Sequence, residues 1–428
     1  MNSTAQDAGP GTLFLPCAAG AEAWLADEVA RLLPGATPDL RRGGVSVFGG
    51  PREAMALNLG SRIAQRVLVE VMHGPYRHED DLYALAREVD WSHWIGPRET
   101  LRVDVTATRS PLQSLNFAGL RIKDAVCDQI REREGARPSV ELRHADLPLV
   151  LHVGEAEATI YVDTSGEALF KRGWREDKGE APLKETLAAA MLAAAGWQGR
   201  EEDGPLLDPV CGSGTIAIEA AQIACGIAPG LLRRFAFERQ RPFLDGGVRR
   251  DWQDLADGAR AAVHAPRVAI HAGDVSFRMT DFATRNAERA GVLTAAIKAI
   301  EFKTADALQR TPPAERGTLM LNPPYGERIE PKGTGRGPRV HRVGAAPQTA
   351  REGFEEGADA AEFASQLAAH WKRQYAGWTA WILSPDAKLP QAMRLKESRR
   401  IPMWNGPIEC RLFRFDMVAG SARAPTTT

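Results

Sequence analysis

A chain of 428 residues, 44% hydrophobic and 25% charged, can bury ordinary globular cores and divides into roughly two to four domains of about 100–200 residues. A formal net charge of -1 excludes a uniformly basic nucleic-acid coat, and five scattered cysteines with no C-x-x-C pair argue against a disulfide framework or a zinc site. Residues 1–11 have neither the basic start nor the apolar core of a secretory signal, and no run approaches the ~20 apolar residues of a membrane span; a cytoplasmic protein with free thiols, no membrane and no metal is expected.

After a loose first ten residues, 12–17 reads as a strand and 21–33 as a helix with Trp24, Leu25, Val29 and Leu32 on one face. Residues 45–48 form a second strand and 52–59 a second helix. Residues 63–71 are strand-like, 80–89 helical, and 101–107 alternate apolar and polar as a half-buried strand. A long amphipathic helix covers 117–133, and 149–153 with 158–163 make a hairpin over Gly154-Glu155-Ala156-Glu157. The alternation predicts an antiparallel sheet with helices on one face. Residues 170–182 are charged, glycine-containing and aperiodic, which suits a linker.

Beyond the linker the grammar changes. Short apolar strands at 206–208, 268–271, 301–303, 318–321 and 378–383 alternate with helical sequence, as in a parallel sheet covered on both faces. A hairpin of 399–404 and 410–417, turning at Asn405-Gly406-Pro407, closes the edge. Two stretches interrupt the pattern: a basic, Trp252-containing excursion over 226–266, and a Gly/Arg-rich insert within 331–357. The resulting division is an N-terminal α+β part at 1–50, a second α+β region at 51–165, a linker at 166–182, a catalytic unit at 183–420 and a tail at 421–428.

Two motifs carry chemistry. In Asp208-Pro209-Val210-Cys211-Gly212-Ser213-Gly214-Thr215 a strand ends, glycines turn and a helix begins, so backbone N–H groups are open to a nucleoside-bearing cofactor. The pattern is neither G-x-G-x-x-G nor a phosphate loop, which disfavours a dinucleotide or ATP. Asp208 could accept from a methionine ammonium, Asp274 from ribose hydroxyls and Asp306 from an adenine amino group; each carboxylate alone is more often a helix cap or a solvated loop charge, so these assignments depend on the glycine motif. The second motif, Asn322-Pro323-Pro324-Tyr325, ends the fourth strand. The Asn322 side-chain oxygen and the Pro323 carbonyl can each accept an N–H of a planar amine and aim its lone pair, while two prolines stiffen the loop and Tyr325 stacks on a base. Together the motifs point to methyl transfer from S-adenosylmethionine to a planar amine.

Charge is locally uneven. Residues 231–250 hold six Arg against Glu238 and Asp245, residues 328–351 five Arg and Lys332 against Glu330, and residues 391–414 five Arg and Lys396 against Glu397 and Glu409. Phe235, Phe237, Tyr325, Trp404 and Phe413 lie in or beside these clusters, a composition suited to phosphate contact and base stacking, with solvated arginine-rich surfaces as the bland alternative.

These residues resemble the class I methyltransferases that carry a THUMP domain, and within them the bacterial enzymes that methylate the guanine 2-amino group of 23S ribosomal RNA, in a form with no room for the fused second methyltransferase of some members. Matching stretches include Phe117-Ala118-Gly119-Leu120-Arg121-Ile122-Lys123-Asp124-Ala125, Asp163-Thr164-Ser165-Gly166-Glu167, Ala181-Pro182-Leu183-Lys184-Glu185-Thr186-Leu187-Ala188, both motifs above, and Trp404-Asn405-Gly406-Pro407-Ile408-Glu409-Cys410. The resemblance implies an α/β fold, a Rossmann-like seven-stranded methyltransferase domain preceded by an α+β ferredoxin-like part (1–50) and a THUMP RNA-binding domain (51–165). It implies that Pro182, Lys184, Asp208, Pro209, Cys211, Gly212, Gly214, Thr215, Asp274, Asp306 and Asn322 line an S-adenosylmethionine pocket, and that Asn322, Pro323, Pro324 and Tyr325 receive a flipped-out guanine. The implied partner is RNA: 23S rRNA or a pre-50S particle, alternatively tRNA. Adenine-N6 methylation, glutamine methylation and a non-catalytic RNA-binding or ribosome-assembly role are the rivals. Two departures from the pattern are the missing second acidic residue in Asp274-Val275-Ser276 and the length of the Gly/Arg-rich insert.

Overall fold

The structure, a computed structural model, describes residues 11–179, 183–323 and 356–418. Pro182, Pro324, Tyr325, the 421–428 tail and nearly all of the 331–357 insert lie outside the described residues.

The first half runs β1 (Gly11–Pro16), α1 (Glu22–Leu32), β2 (Asp39–Arg41), β3 (Gly44–Gly49), α2 (Pro51–Gly60), β4 (Leu68–Pro75), α3 (Glu79–Arg87), β5 (Thr100–Ala107), α4 (Leu115–Glu134), β6 (Ser139–Val140), β7 (Leu147–Val153) and β8 (Glu157–Asp163). Its strands form one eight-stranded sheet in the order β2-β3-β1-β4-β8-β7-β5-β6, so the first strands and the following region share a single sheet. Alternate residues point inward: Leu13, Leu15, Val45, Val47, Leu149, Leu151, Ile160 and Val162 are buried, packed with Leu25, Val29, Ala118, Ile122 and Ile130 of the helices. Ser114 opens α4 by accepting from the Phe117 N–H at 3.2 Å, and Gly135 closes it at φ +81°.

Two expectations for this half need correction. The sheet is mixed rather than antiparallel, because α4 carries the chain across so that β5 lies parallel to β7. Residues 63–67, read as the start of a strand, form a buried turn instead. Glu28 replaces the ladder there, accepting from the Ser61 hydroxyl at 2.6 Å and from the N–H groups of Arg62 at 2.9 Å and Ile63 at 3.2 Å. The apolar residues Ile63, Ala64 and Val67 that gave the strand signal are buried, which is why periodicity misled.

The second half runs α5 (Glu185–Ala195), β9 (Leu206–Asp208), α6 (Thr215–Ala224), α7 (Gly246–Ala261), β10 (Ile270–Asp274), α8 (Phe277–Arg289), β11 (Ile300–Thr304), β12 (Gly317–Leu321), α9 (Glu356–Gln374), β13 (Trp378–Ser384), α10 (Leu389–Met393), β14 (Arg399–Asn405) and β15 (Ile408–Asp416). Seven strands lie in the order β11-β10-β9-β12-β13-β15-β14. The first five are parallel, and β15 enters antiparallel between β13 and β14. Successive residues face opposite layers: Leu206 and Met320 pack with Ile216, Ala283 and Leu187, whereas Leu207, Leu319 and Leu321 pack with Leu367, Trp371 and Trp378. Among the described residues, no helix is long and apolar enough to cross a membrane.

The stretch expected to be a linker is built into the core. Arg172 and Trp174 are buried. The Arg172 guanidinium donates to Glu219 of α6 at 3.0 Å and to the Arg62 carbonyl at 2.6 Å, and Arg62 itself stands 3.6 Å from Glu219. Burial pushes the Arg62 guanidinium below its ordinary range, opposed by Glu219. Thr164 and Ser165 hydrogen-bond the Asn58 side chain of α2 at 2.8 and 2.6 Å.

The basic excursion is equally structural. Phe235 and Phe237 stack at 5.2 Å, Trp252 meets Phe237 edge-on at 5.0 Å, and all three join the core of the first half. These rings are therefore not free to stack on bases. Arg239 binds Asp146 at 2.6 Å, Arg241 binds Glu134 at 2.9 Å, and Arg233 donates to the carbonyls of Glu167 at 2.6 Å and Ala168 at 2.8 Å. The excursion clamps the two sheets together.

Replacing Glu219 with Gln leaves two buried guanidiniums without their counter-charge, and the unfolding free energy in a urea titration should fall by about 3–5 kcal/mol. A loss under about 1 kcal/mol would remove this cluster from its structural role.

Candidate active site

Parallel register brings the motif ends together. Ala272 pairs with Asp208, Leu319 with Leu207, and Thr304 with Asp274, so the carboxyl ends of β9, β10, β11 and β12 lie along one edge. From β9 the chain moves outward to β10 and β11, then returns to β12 on the other side of β9, and the crevice at such a reversal is where open α/β sheets take ligands.

The glycine turn sits at the end of β9. Gly212 and Gly214 have φ of +52° and +89°, a region that side chains strain to enter. A Cβ on Gly214 would stand 3.0 Å from the Ala283 Cβ, so its absence lets α6 pack on α8; a Cβ on Gly212 would meet nothing within 4 Å. The main chain at Gly212 therefore faces open space, where a ligand can approach it without a side chain intervening.

Asp274, at the end of β10, holds this turn. Its two carboxylate oxygens accept from the Gly212 N–H at 3.0 Å and the Ser276 N–H at 2.9 Å, and the Cys211 N–H donates to the Gly273 carbonyl at 2.7 Å. Asp208 is buried and accepts from the Val210 N–H at 3.2 Å. Burial raises its carboxyl well above the usual range, and the nearby Asp274 charge adds to the effect. Burial likewise raises the Cys211 thiol well above its ordinary value, which leaves no reactive thiolate there. Pro209 and Thr215 are buried in the turn and the first turn of α6.

Two further anchors, and two exposed apolar residues, did not stand out in the sequence. Arg175 donates to Glu185 at 2.7 Å, to the Ser213 hydroxyl at 2.9 Å and to the Thr215 hydroxyl at 2.8 Å. It lies in the stretch read as a linker, where nothing in the spacing marked it. Buried Asn286 of α8 donates to the Ser213 carbonyl at 3.1 Å and to the Asp177 carbonyl at 3.0 Å. Val275 and Phe277, just past Asp274, are 75% and 74% exposed, an unusual outlay of apolar surface at a crevice. Their signal was the exposure of apolar residues after a strand end, and that is invisible before folding.

The remaining predicted residues sit on other elements. Asp306 follows β11 and caps its own loop, accepting from the Leu308 N–H at 2.8 Å. Lys184 precedes α5, with its ammonium 5.0 Å from the Phe170 ring centroid. Asn322 and Pro323 follow β12, the neighbour of β9, and are half-buried. Among the described residues, no group of three or more His, Cys, Asp or Glu is placed to hold a metal ion.

Comparison with known proteins agrees with this geometry. Residues 172–337 match the family described as "RMKL-like, methyltransferase domain", residues 76–163 match the THUMP domain, and residues 12–68 match the RlmL ferredoxin-like domain. The ribosomal RNA large subunit methyltransferase K/L of Shewanella baltica is 36% identical over 378 residues, which cover 87% of this chain and 48% of that protein. The chain thus spans about half the length of the curated relatives it matches. Among solved structures, SMU.472, a candidate methyltransferase complexed with S-adenosylhomocysteine, is 25% identical with a TM-score of 0.78 over 95% of this chain and 98% of that one. A Listeria monocytogenes protein described as a predicted N6-adenine-specific DNA methylase is 26% identical with a TM-score of 0.78, over 95% and 96% of the two chains. The fold is α/β: a Rossmann-like, seven-stranded class I methyltransferase domain preceded by an α+β ferredoxin-like and THUMP region.

The raised Asp208 carboxyl makes stability depend on pH with a definite sign. A carboxyl raised on folding supports the folded state below its unfolded value and loses that support as pH climbs through the folded value. Asn at this position has no such dependence, so the Tm difference, Asp208→Asn minus wild type, should grow from about pH 4 to about pH 8 in the ligand-free protein. A difference that stays flat across that range contradicts a raised Asp208.

Proposed function

We propose that the protein transfers a methyl group from S-adenosylmethionine to the exocyclic 2-amino group of a guanine in large-subunit ribosomal RNA. The observation that carries the proposal is the placement of the Gly212 turn and Asn322 at the carboxyl ends of the adjacent strands β9 and β12. That placement puts an open main-chain cradle beside an amide able to grip an amine. S-adenosylmethionine, when bound, supplies an electrophilic methyl group.

The chain's own residues supply binding and aim. The open side of Gly212 fits a cofactor lying against the main chain, and Val275 and Phe277 offer apolar faces to a purine. Asp274 spends one lone pair of Oδ2 on the Gly212 N–H and one of Oδ1 on the Ser276 N–H, which leaves each oxygen another for a ribose hydroxyl. Asp208 lies beside the turn, where a cationic methionine ammonium would favour its ionised form, and Asp306 follows β11 at the same edge. The Asn322 amide oxygen and the Pro323 carbonyl accept the two N–H groups of the guanine amine, turning its lone pair toward the methyl, while Tyr325 is the residue whose ring can stack on the base. A guanine amine inside a helix is shielded, so the base must be unpaired or flipped out.

The match of residues 76–163 to a THUMP domain and the likeness to ribosomal RNA methyltransferases support RNA as substrate. The description of the Listeria neighbour keeps adenine as the alternative base. Tritium from methyl-labelled S-adenosylmethionine should enter large-subunit RNA from a strain lacking the gene, in RNase-sensitive form. Asn322→Ala should lower kcat/KM by at least about 100-fold, with S-adenosylhomocysteine affinity kept within about threefold. Wild-type transfer by the variant removes Asn322 from the amine; no transfer to any RNA by the native protein overturns the function.

A further inference from the structure

A cavity of about 640 Å³ lies between the 143–148 stretch of the first sheet, the connecting segment 165–178 and the excursion around Arg234. Ten Lys and Arg line it against two Glu, so its potential is strongly positive. Both carboxylates are already engaged, Glu167 by Lys171 at 2.7 Å and Glu185 by Arg175 at 2.7 Å. Several of the arginines build the walls and are spoken for, including Arg172, Arg233 and Arg239. Arg143, Lys178 and Lys184 form no ion pair among the described residues, and the Arg234 side chain is 88% exposed with a single 3.4 Å contact to Glu238. Arg233 stays cationic at neutral pH even though burial lowers it to about 10, and it adds to the field without reaching into the cavity for a partner.

The walls are pre-formed. Gly173, at φ +96°, lies so close to the excursion that a Cβ would stand 2.5 Å from the Leu232 carbonyl oxygen, and Gly166, at φ +79°, would place one 3.1 Å from the Ala236 Cβ. Leu183, Lys184 and Arg175 are among the lining residues, and the guanidinium of Arg175 grips Ser213 and Thr215 of the glycine turn. Arg175 is thus shared between the cavity wall and the support of the glycine turn.

We propose that this cavity is a channel for the sugar-phosphate backbone of a short single-stranded RNA segment flanking the target nucleotide, with Arg143, Lys178, Lys184 and Arg234 as its phosphate contacts. Its volume is that of a small-ligand pocket, about 300–1,000 Å³, too small for a duplex and enough for a short run of unpaired nucleotides. The inference rests on the RNA methyltransferase reading above and specifies how that substrate is held. It also accounts for part of the 231–250 cluster: Arg233 and Arg239 pin the walls, and Arg234 faces the ligand.

The test titrates a fluorescein-labelled, mixed-sequence single-stranded RNA dodecamer with the full chain by anisotropy across a salt series. Arg143→Glu with Lys178→Glu, both exposed positions, should weaken binding at least about tenfold and flatten the salt slope by about 1.4, at about 0.7 per lost phosphate contact. Arg31→Glu, on exposed α1 surface outside the cavity, should stay within about twofold of wild type. The same RNA annealed into a duplex should bind at least about tenfold more weakly. S-adenosylhomocysteine binding by the double variant should match wild type, which shows that it is folded. Unchanged single-strand binding by the double variant, or equal affinity for the duplex, overturns the channel. If such a variant still transfers methyl groups to RNA at the native rate, the channel fails and the enzymatic reading stands. If binding depends on Arg143 and Lys178 but the native protein methylates no RNA, the enzymatic reading fails and the channel stands.

Discussion

Glu219 lies fully buried on α6, the helix that begins at the glycine turn, and takes positive charge from Arg172 of the connecting segment at 3.0 Å and Arg62 of the first sheet's region at 3.6 Å. A carboxylate so placed is tolerable only with its partners in position, because an uncompensated buried charge costs several kcal/mol. The cluster thus couples two other parts of the chain to one helix. The excursion through Phe235, Phe237 and Trp252 reinforces the coupling with apolar contact, and Arg239 and Arg241 extend it to Asp146 and Glu134. The two sheets consequently behave as one body, and whatever binds the first is held at a fixed distance from the crevice of the second.

The crevice inherits that rigidity. Asp274 fastens the turn to β10, Asn286 fastens it to α8, and Arg175 fastens it to the start of α5 through Glu185. A site on strand ends, braced from three directions, holds reacting groups more precisely than a free loop does. Chemistry that rests on aiming an amine at a methyl group needs that precision and needs no metal or nucleophilic side chain of its own.

Legibility in the sequence followed the range of the physics involved. The parallel strands were readable because each is a short run of apolar residues buried on both faces, and the Gly212 and Gly214 turn because glycines at a strand end have a local steric reason. Asp274 was located correctly at the end of β10, yet its hold on the Gly212 N–H depends on a pairing across 62 positions that no local pattern encodes. Arg175, Asn286 and Glu219 were missed for the same reason: each is an ordinary charged or polar residue until a distant element packs against it. The rings of the excursion read as stacking surface because composition reports which groups are available and not which are already used. The mixed sheet was missed because strand alternation looks the same in parallel and antiparallel neighbours.

The most direct test of the central claim is the chemical identity of the methylated nucleoside. Large-subunit RNA from a strain lacking the gene, incubated with the purified protein and S-adenosylmethionine, is digested to nucleosides and resolved by mass spectrometry against standards. The account predicts a new N2-methylguanosine peak that maps to an unpaired or flipped nucleotide and is absent with Asn322→Ala. A new N6-methyladenosine peak, or no new methylated nucleoside from a protein that binds S-adenosylhomocysteine, would contradict it.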